Sequence, residues 1–196
     1  MGVWGTARGP LFATGSFGRL LVSEDRGKTW QPRDTGLGDR HFYGIAGGGQ
    51  QRLMLVGESG LVARSADGGQ SWERLPDFYN GSFFGLIALS ASDWLVYGMR
   101  GKVFRTGDFG AIWQQVDADT GLSLYGGTRT GDGKVVLVGE GGVVTQSGDG
   151  GRTFKRLNDG GAGSLSSVAE LADGRLIFTG QSGIAVAGKP AKSPTP

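Results

Sequence analysis

Ser23-Glu-Asp-Arg-Gly-Lys-Thr-Trp30 returns three more times along the chain, as Ser65-Ala-Asp-Gly-Gly-Gln-Ser-Trp72, Thr106-Gly-Asp-Phe-Gly-Ala-Ile-Trp113 and Ser147-Gly-Asp-Gly-Gly-Arg-Thr-Phe154. Its aspartates, Asp25, Asp67, Asp108 and Asp149, stand 42, 41 and 41 residues apart, so the phrase marks a repeating structural unit and not an isolated motif. Each part suits a tight reversal between two strands. The carboxylate can accept hydrogen bonds from backbone N–H groups of the turn, as short polar side chains do in Asx turns, and those donors would otherwise lack partners. The glycine two residues on (Gly27, Gly69, Gly110, Gly151) admits a positive φ. The closing aromatic (Trp30, Trp72, Trp113, Phe154) begins the next strand and wedges a large apolar ring under its own turn or between neighbouring sheets. Ile112 stands where the other copies have Thr or Ser.

Around each copy the same pattern recurs. A short inner strand carries an aromatic before glycine, with Trp4-Gly5 matched to Tyr43-Gly44, Phe84-Gly85 and Tyr125-Gly126. An apolar run ending in glycine follows, at 11–15, 53–57, 94–98, 135–139 and 176–180, and continuous apolarity fits a strand covered on both faces. Gly-x-x-Gly then makes a tight hairpin, and a third strand leads into the aspartate turn. The pattern predicts an all-β protein, a β-propeller of four-stranded antiparallel blades at about 2–33, 42–75, 83–116 and 124–157, with a partial fifth at 164–187 and a disordered tail at 188–196. The ring is expected either to be five-bladed with a three-stranded last blade or to be the C-terminal part of a larger propeller, which the direct start on an inner strand favours. Open blade edges also predict a homodimer. The Trp-Asp and Gly-His signatures of WD40 blades are absent.

The 196 residues allow one sizeable core. The forty glycines fall at fixed positions between apolar runs, as turn residues of a β protein do. With no cysteine there is no disulfide or thiolate chemistry. The net charge of +2 is spread without a basic stripe, which argues against nucleic acid. No apolar run reaches membrane-spanning length, so the chain is not expected to be embedded in a membrane, and its first residues lack the pattern of a signal peptide.

The aspartate phrase is the Asp-box, or BNR repeat. Together with the apolar-run-Gly-x-x-Gly unit and the spacing near 41, it resembles the photosystem II stability/assembly factor family over Trp4 to about Ala187. The resemblance implies a non-catalytic scaffold, placed in the thylakoid lumen or periplasm, that binds protein segments and helps assemble or stabilise a membrane-associated complex. It implies no cofactor or metal. Members of the family have seven blades, more than this chain supplies.

The Gly-x-x-Gly turns and the connectors between blades share one rim, where function is expected to gather. Arg40, Arg64, Arg100 and Arg105 are candidates for holding an acidic partner segment, beside the more ordinary reading as surface salt bridges. His41, the sole histidine, lies in a connector and is a further candidate for contacting a partner, beside the more ordinary reading as a polar residue at a strand entry. Phe78 and Tyr79 are expected to be exposed and are candidates for contacting a partner, whereas one of Phe83 and Phe84 belongs in the core. The rival readings are a sialidase-like glycoside hydrolase using Glu58 and Glu140 and a lectin-like propeller with one shallow site per blade. Other units carry Ser16, Met99 and Gln181 at the Glu58 position, which argues for an exposed turn residue there, and no aromatic repeats from turn to turn. Each Asp-box aspartate stands alone on its blade, too isolated for calcium.

Overall fold

Strands β1 (Val3–Gly5), β2 (Leu11–Thr14), β3 (Leu20–Ser23) and β4 (Gln31–Arg33) pair in sequence order as sheet 1 in the computed structural model of the chain. It describes residues 2–49, 51–158 and 163–188, so the tail expected to be disordered lies outside the described residues beyond Gly188. Sheet 2 holds β5 (Phe42–Gly47), β6 (Leu53–Gly57), β7 (Val62–Ser65) and β8 (Glu73–Arg74). Sheet 3 holds β9 (Phe83–Ala88), β10 (Trp94–Gly98), β11 (Val103–Thr106) and β12 (Gln114–Val116). Sheet 4 holds β13 (Leu124–Arg129), β14 (Val135–Gly139), β15 (Val144–Ser147) and β16 (Lys155–Arg156), and sheet 5 the three strands β17 (Leu165–Glu170), β18 (Leu176–Gly180) and β19 (Gly183–Ala187). No helix among the described residues is long and apolar enough to cross a membrane.

The chain divides into two compact units, Met1–Met99 with Phe104–Gln115 and Arg100–Val103 with Val116–Pro196. In the first, β1 packs on β5 and β5 on β9, and the core between sheets 1 and 2 is built from Phe12, Leu20, Val22, Phe42, Ile45 and Leu53. Val56, Leu75, Phe83, Val96 and Phe104 fill the space between sheets 2 and 3. In the second unit, Val136 and Val138 of β14 meet Val168 of β17. Every residue of β6, β10 and β14 is buried, in keeping with their continuous apolar sequences. In β2 burial alternates, and in β18 every residue is only half-buried.

The register corrects one reading of the sequence. Gly44 of β5 lies opposite Val56, and the residue equivalent to Val56 in sheet 1 is Thr14, whose N–H donates to the Gly2 carbonyl. Trp4 instead opposes Phe12, which makes it the counterpart of Ala46. Gly2, and not Gly5, therefore matches Gly44. An aromatic-Gly dipeptide identifies an inner strand but does not fix its phase.

Candidate functional site

Two sets of loops carry the polar chemistry, and the Asp-boxes form the first. In the second box, both Asp67 oxygens are engaged: Oδ1 accepts from the backbone N–H of Gln70 and Ser71, each at 3.0 Å, and Oδ2 from the Ser71 hydroxyl at 2.5 Å. The first and fourth boxes repeat this arrangement with Thr29 on Asp25 and Thr153 on Asp149. Asp108 accepts the N–H of Ile112 at 3.0 Å, but Ile112 has no hydroxyl to add. Gly27, Gly69, Gly110 and Gly151 all have left-handed φ, between 77° and 89°. A hydroxyl that the sequence reading left without a role completes the turn. Ser23, Ser65, Thr106 and Ser147, each at most 2% exposed, donate to the aspartate and accept the N–H of the box glycine at 2.8–3.1 Å. Its signal was present in the first position of the repeated phrase, always Ser or Thr.

These donors stabilise the ionised carboxylates. The Thr29 side chain is foremost in holding Asp25 at about 2. The Ser71 hydroxyl does the same for Asp67 and the Thr153 hydroxyl for Asp149, both well below the usual carboxylate range. Asp108 is also lowered, chiefly by Thr106. Of the closing aromatics, Trp30 donates its Nε1–H to the Gly27 carbonyl at 3.2 Å, Trp72 packs on the sheet 1–sheet 2 core, and Trp113 stacks on Phe78. Phe154 is half-buried. Among the described residues no cluster of His, Asp or Glu is placed to hold a metal ion.

The Gly-x-x-Gly hairpins form the second set. Phe17-Gly18, Ser59-Gly60, Arg100-Gly101 and Gly141-Gly142 all have positive φ at both residues, the twist of a type I′ turn. Only glycine fits the second place, since a Cβ on Gly60 would stand 1.9 Å from the Tyr79 carbonyl oxygen. At three of the Gly-x-x-Gly hairpins the second residue turns back onto its own sheet. Glu58 accepts the His41 N–H at 2.7 Å, Glu140 that of Ser123 at 3.1 Å, and Gln181 that of Ser164 at 3.0 Å. Glu140 and Gln181 are exposed turn residues, as expected at this position, and Glu58 is half-buried; beyond that expectation, these three side chains satisfy the backbone donor ahead of their inner strands. A free carboxylate pair for glycoside hydrolysis does not fit these roles.

The tip residue is the projecting one. Phe17 is 70% exposed at φ 55°, and its N–H donates to His41 Nδ1 at 3.1 Å. From it runs a row of rings: Phe17 to His41 at 5.0 Å, His41 to Tyr43 at 6.5 Å, and Tyr43 to Phe84 at 5.7 Å between centroids. Phe84 is half-exposed while Phe83 is fully buried. Phe17 is thus a large ring held exposed in the left-handed region at the head of this row.

The expected exposure of Phe78 and Tyr79 is corrected. Phe78 and Tyr79 are not an exposed platform: Phe78 stacks on Trp113 at 5.1 Å, Tyr79 lies 5.3 Å from Phe83, and its hydroxyl donates to the Met99 carbonyl at 3.1 Å. Their connector must cover the core between sheets 2 and 3, and aromatic area is what covers it. Arg64 is engaged within the fold by Glu73 at 2.8 Å and by the Phe109 carbonyl at 3.0 Å. Arg105 pairs with Asp93 at 2.5 Å, and the Ser90 hydroxyl together with that guanidinium lowers the Asp93 carboxyl. Arg100 is exposed at a turn tip. Arg40 has a buried Nη1 without a hydrogen-bond partner, next in the chain to His41 of the aromatic row.

The sequence model of the family described as "Photosynthesis system II assembly factor YCF48" matches residues 37–184. The chain belongs to this family. Among solved structures, a YCF48 chain described as bound to D1 peptide is similar at 26% identity and a TM-score of 0.78, over 96% of this chain and 64% of that one. The present chain thus spans just under two thirds of that YCF48 chain. YCF48 from Cyanidioschyzon merolae is similar at 18% identity and a TM-score of 0.76, over 100% of this chain and 69% of that one. The WD40 β-propeller domain of Doa1, at 12% identity and a TM-score of 0.76 over 94% and 61% of the two chains, shares the fold alone. No curated protein sequence matches. The sheets of this YCF48-family chain are β-propeller blades.

Proposed function

We propose that this YCF48-family chain is a non-enzymatic scaffold that binds a segment of a partner protein and assists the assembly or stability of a membrane-associated complex. The reading is carried by the family match over 37–184, and the likeness to a YCF48 chain described as bound to D1 peptide supports a peptide as the kind of ligand. The row Phe17–His41–Tyr43–Phe84 supplies the contact surface, since rigid aromatics give large contact area at small entropic cost.

The test is affinity capture from a detergent-solubilised native membrane extract, with the wild-type chain and Phe17→Ser side by side. One or more membrane-complex subunits retained by the wild type and lost from the variant is the expected result. Failure to retain any protein, with hydrolysis of a glycoside panel by the purified chain, would reverse the assignment.

A further inference from the structure

The two gaps between the blades of the first unit differ on the Asp-box rim. Between sheets 2 and 3 the gap is filled by the chain itself. Phe109, from the third box, packs 6.1 Å from Trp94, and the Arg52 guanidinium lies over its ring at 4.7 Å. Arg64 approaches the same ring at 5.6 Å. Between sheets 1 and 2 the corresponding positions hold Gly68, Pro10 and Val22, as the strand registers require. Counterparts of the Phe109 ring and of the Arg52 and Arg64 guanidinia are absent there, and the one guanidinium in the lining is that of Arg33. A cavity of about 580 Å³ opens instead, within the usual range for a ligand pocket.

This cavity keeps the chemistry suited to what is missing. Trp4 and Phe12 line it, and the Trp4 ring rests against Gly47, where a Cβ would fall 2.0 Å from the indole. Glu24 and Asp67 add two carboxylates. Arg33 is held by the Gly69 carbonyl at 3.3 Å, and it reaches Glu24 only at 3.8 Å, so Glu24, 71% exposed, is loosely paired. Asp67 is already engaged in its own turn, so Glu24 is the carboxylate left to pair; where an aromatic face and such a carboxylate meet, a guanidinium is the complementary group, because it stacks on the ring and takes hydrogen bonds at its edge. In the adjacent gap a guanidinium and an aromatic ring pack against each other in this way.

We propose that the cavity between sheets 1 and 2 is a binding site for an arginine side chain of a partner segment, stacked on Trp4 and paired with Glu24. This rests on the reading of the chain as a binder of protein segments, and it adds a second, charge-selective contact on the rim opposite the aromatic row.

The test uses the full chain and N-acetyl-arginine amide, following the Trp indole N–H resonances by NMR. Saturable shifts at Trp4 are expected, with the uncharged N-acetyl-citrulline amide and the Glu24→Gln variant each about tenfold weaker. Gly68→Phe should abolish the shifts while keeping the fold, because Phe109 already occupies the same left-handed position, at φ 59° against 73° for Gly68. An unmoved Trp4, citrulline binding as tightly as arginine, or full binding by a folded Gly68→Phe chain would each overturn the proposal. The outcome is separable from that of the capture experiment: arginine amide can fail at Trp4 while the Phe17-dependent partner is still retained.

Discussion

A serine hydroxyl at most 2% exposed decides whether an Asp-box turn is satisfied. Ser65 Oγ accepts the Gly69 N–H at 2.8 Å and donates to Asp67 at 2.7 Å. Ser65→Ala strands that buried N–H, and the expected loss is about 1–3 kcal/mol, read calorimetrically as a fall in melting temperature of roughly 2–4 °C per kcal/mol. The third box allows the opposite experiment. Ile112 is 66% exposed, so Ile112→Thr gives up little burial and supplies Asp108 with the hydroxyl donor of the other boxes. A gain of about 0.5–1 kcal/mol is expected, the low end for an exposed hydrogen bond. The pH dependence follows from the same contacts. Each box carboxylate has a folded pKa below its unfolded value of about 3.9, so its contribution is complete above about pH 4 and is lost as the pH falls toward the folded value, about 2 for Asp25. Acid titration followed by near-UV circular dichroism should therefore show cooperative loss of structure between about pH 4 and 2, with the midpoint displaced downward in Ile112→Thr.

At the scale of the hairpin, backbone and side chain separate cleanly. Phe17 and Ser59 hold the same turn place at φ 55° and 52°, so Phe17→Ser should leave the melting temperature within about 2 °C of wild type while abolishing partner capture; a large stability loss would show that the ring serves the fold. The repeated aspartate, the glycines and the apolar runs were legible in the sequence because each answers to a local rule of turn or strand. Three things were not. The phase of β1 is set by pairing with β2, which no dipeptide reports. Phe78 and Tyr79 look like connector residues until the core they cover exists. The role of Glu58 depends on an N–H seventeen residues away, at His41. Phe17 could have been found, since a bulky residue in a Gly-x-x-Gly tip contradicts the turn's preference for Gly or Asn.

For the molecule as a whole, burial falls off at the first and last sheets. Val3 is 73% exposed on sheet 1, and Ile184 and Val186 are 73% and 47% exposed on β19 of sheet 5. Apolar side chains on an exposed edge strand are templates for pairing with another chain. Sedimentation velocity is expected to show concentration-dependent dimerisation that Ile184→Lys suppresses; a wild-type chain monomeric at all concentrations would exclude pairing through this edge.

The common backbone of the hairpin tips also bears on how such proteins diversify. Phe17, Ser59, Arg100 and Gly141 sit on one geometry, and the glycine beside each answers for the steric demand. A mutation at a tip can therefore trade an aromatic for a cation or a hydroxyl while the architecture stays indifferent. Lineages can respecify what this rim recognises one address at a time, and selection on binding need not wait for compensating change elsewhere in the chain.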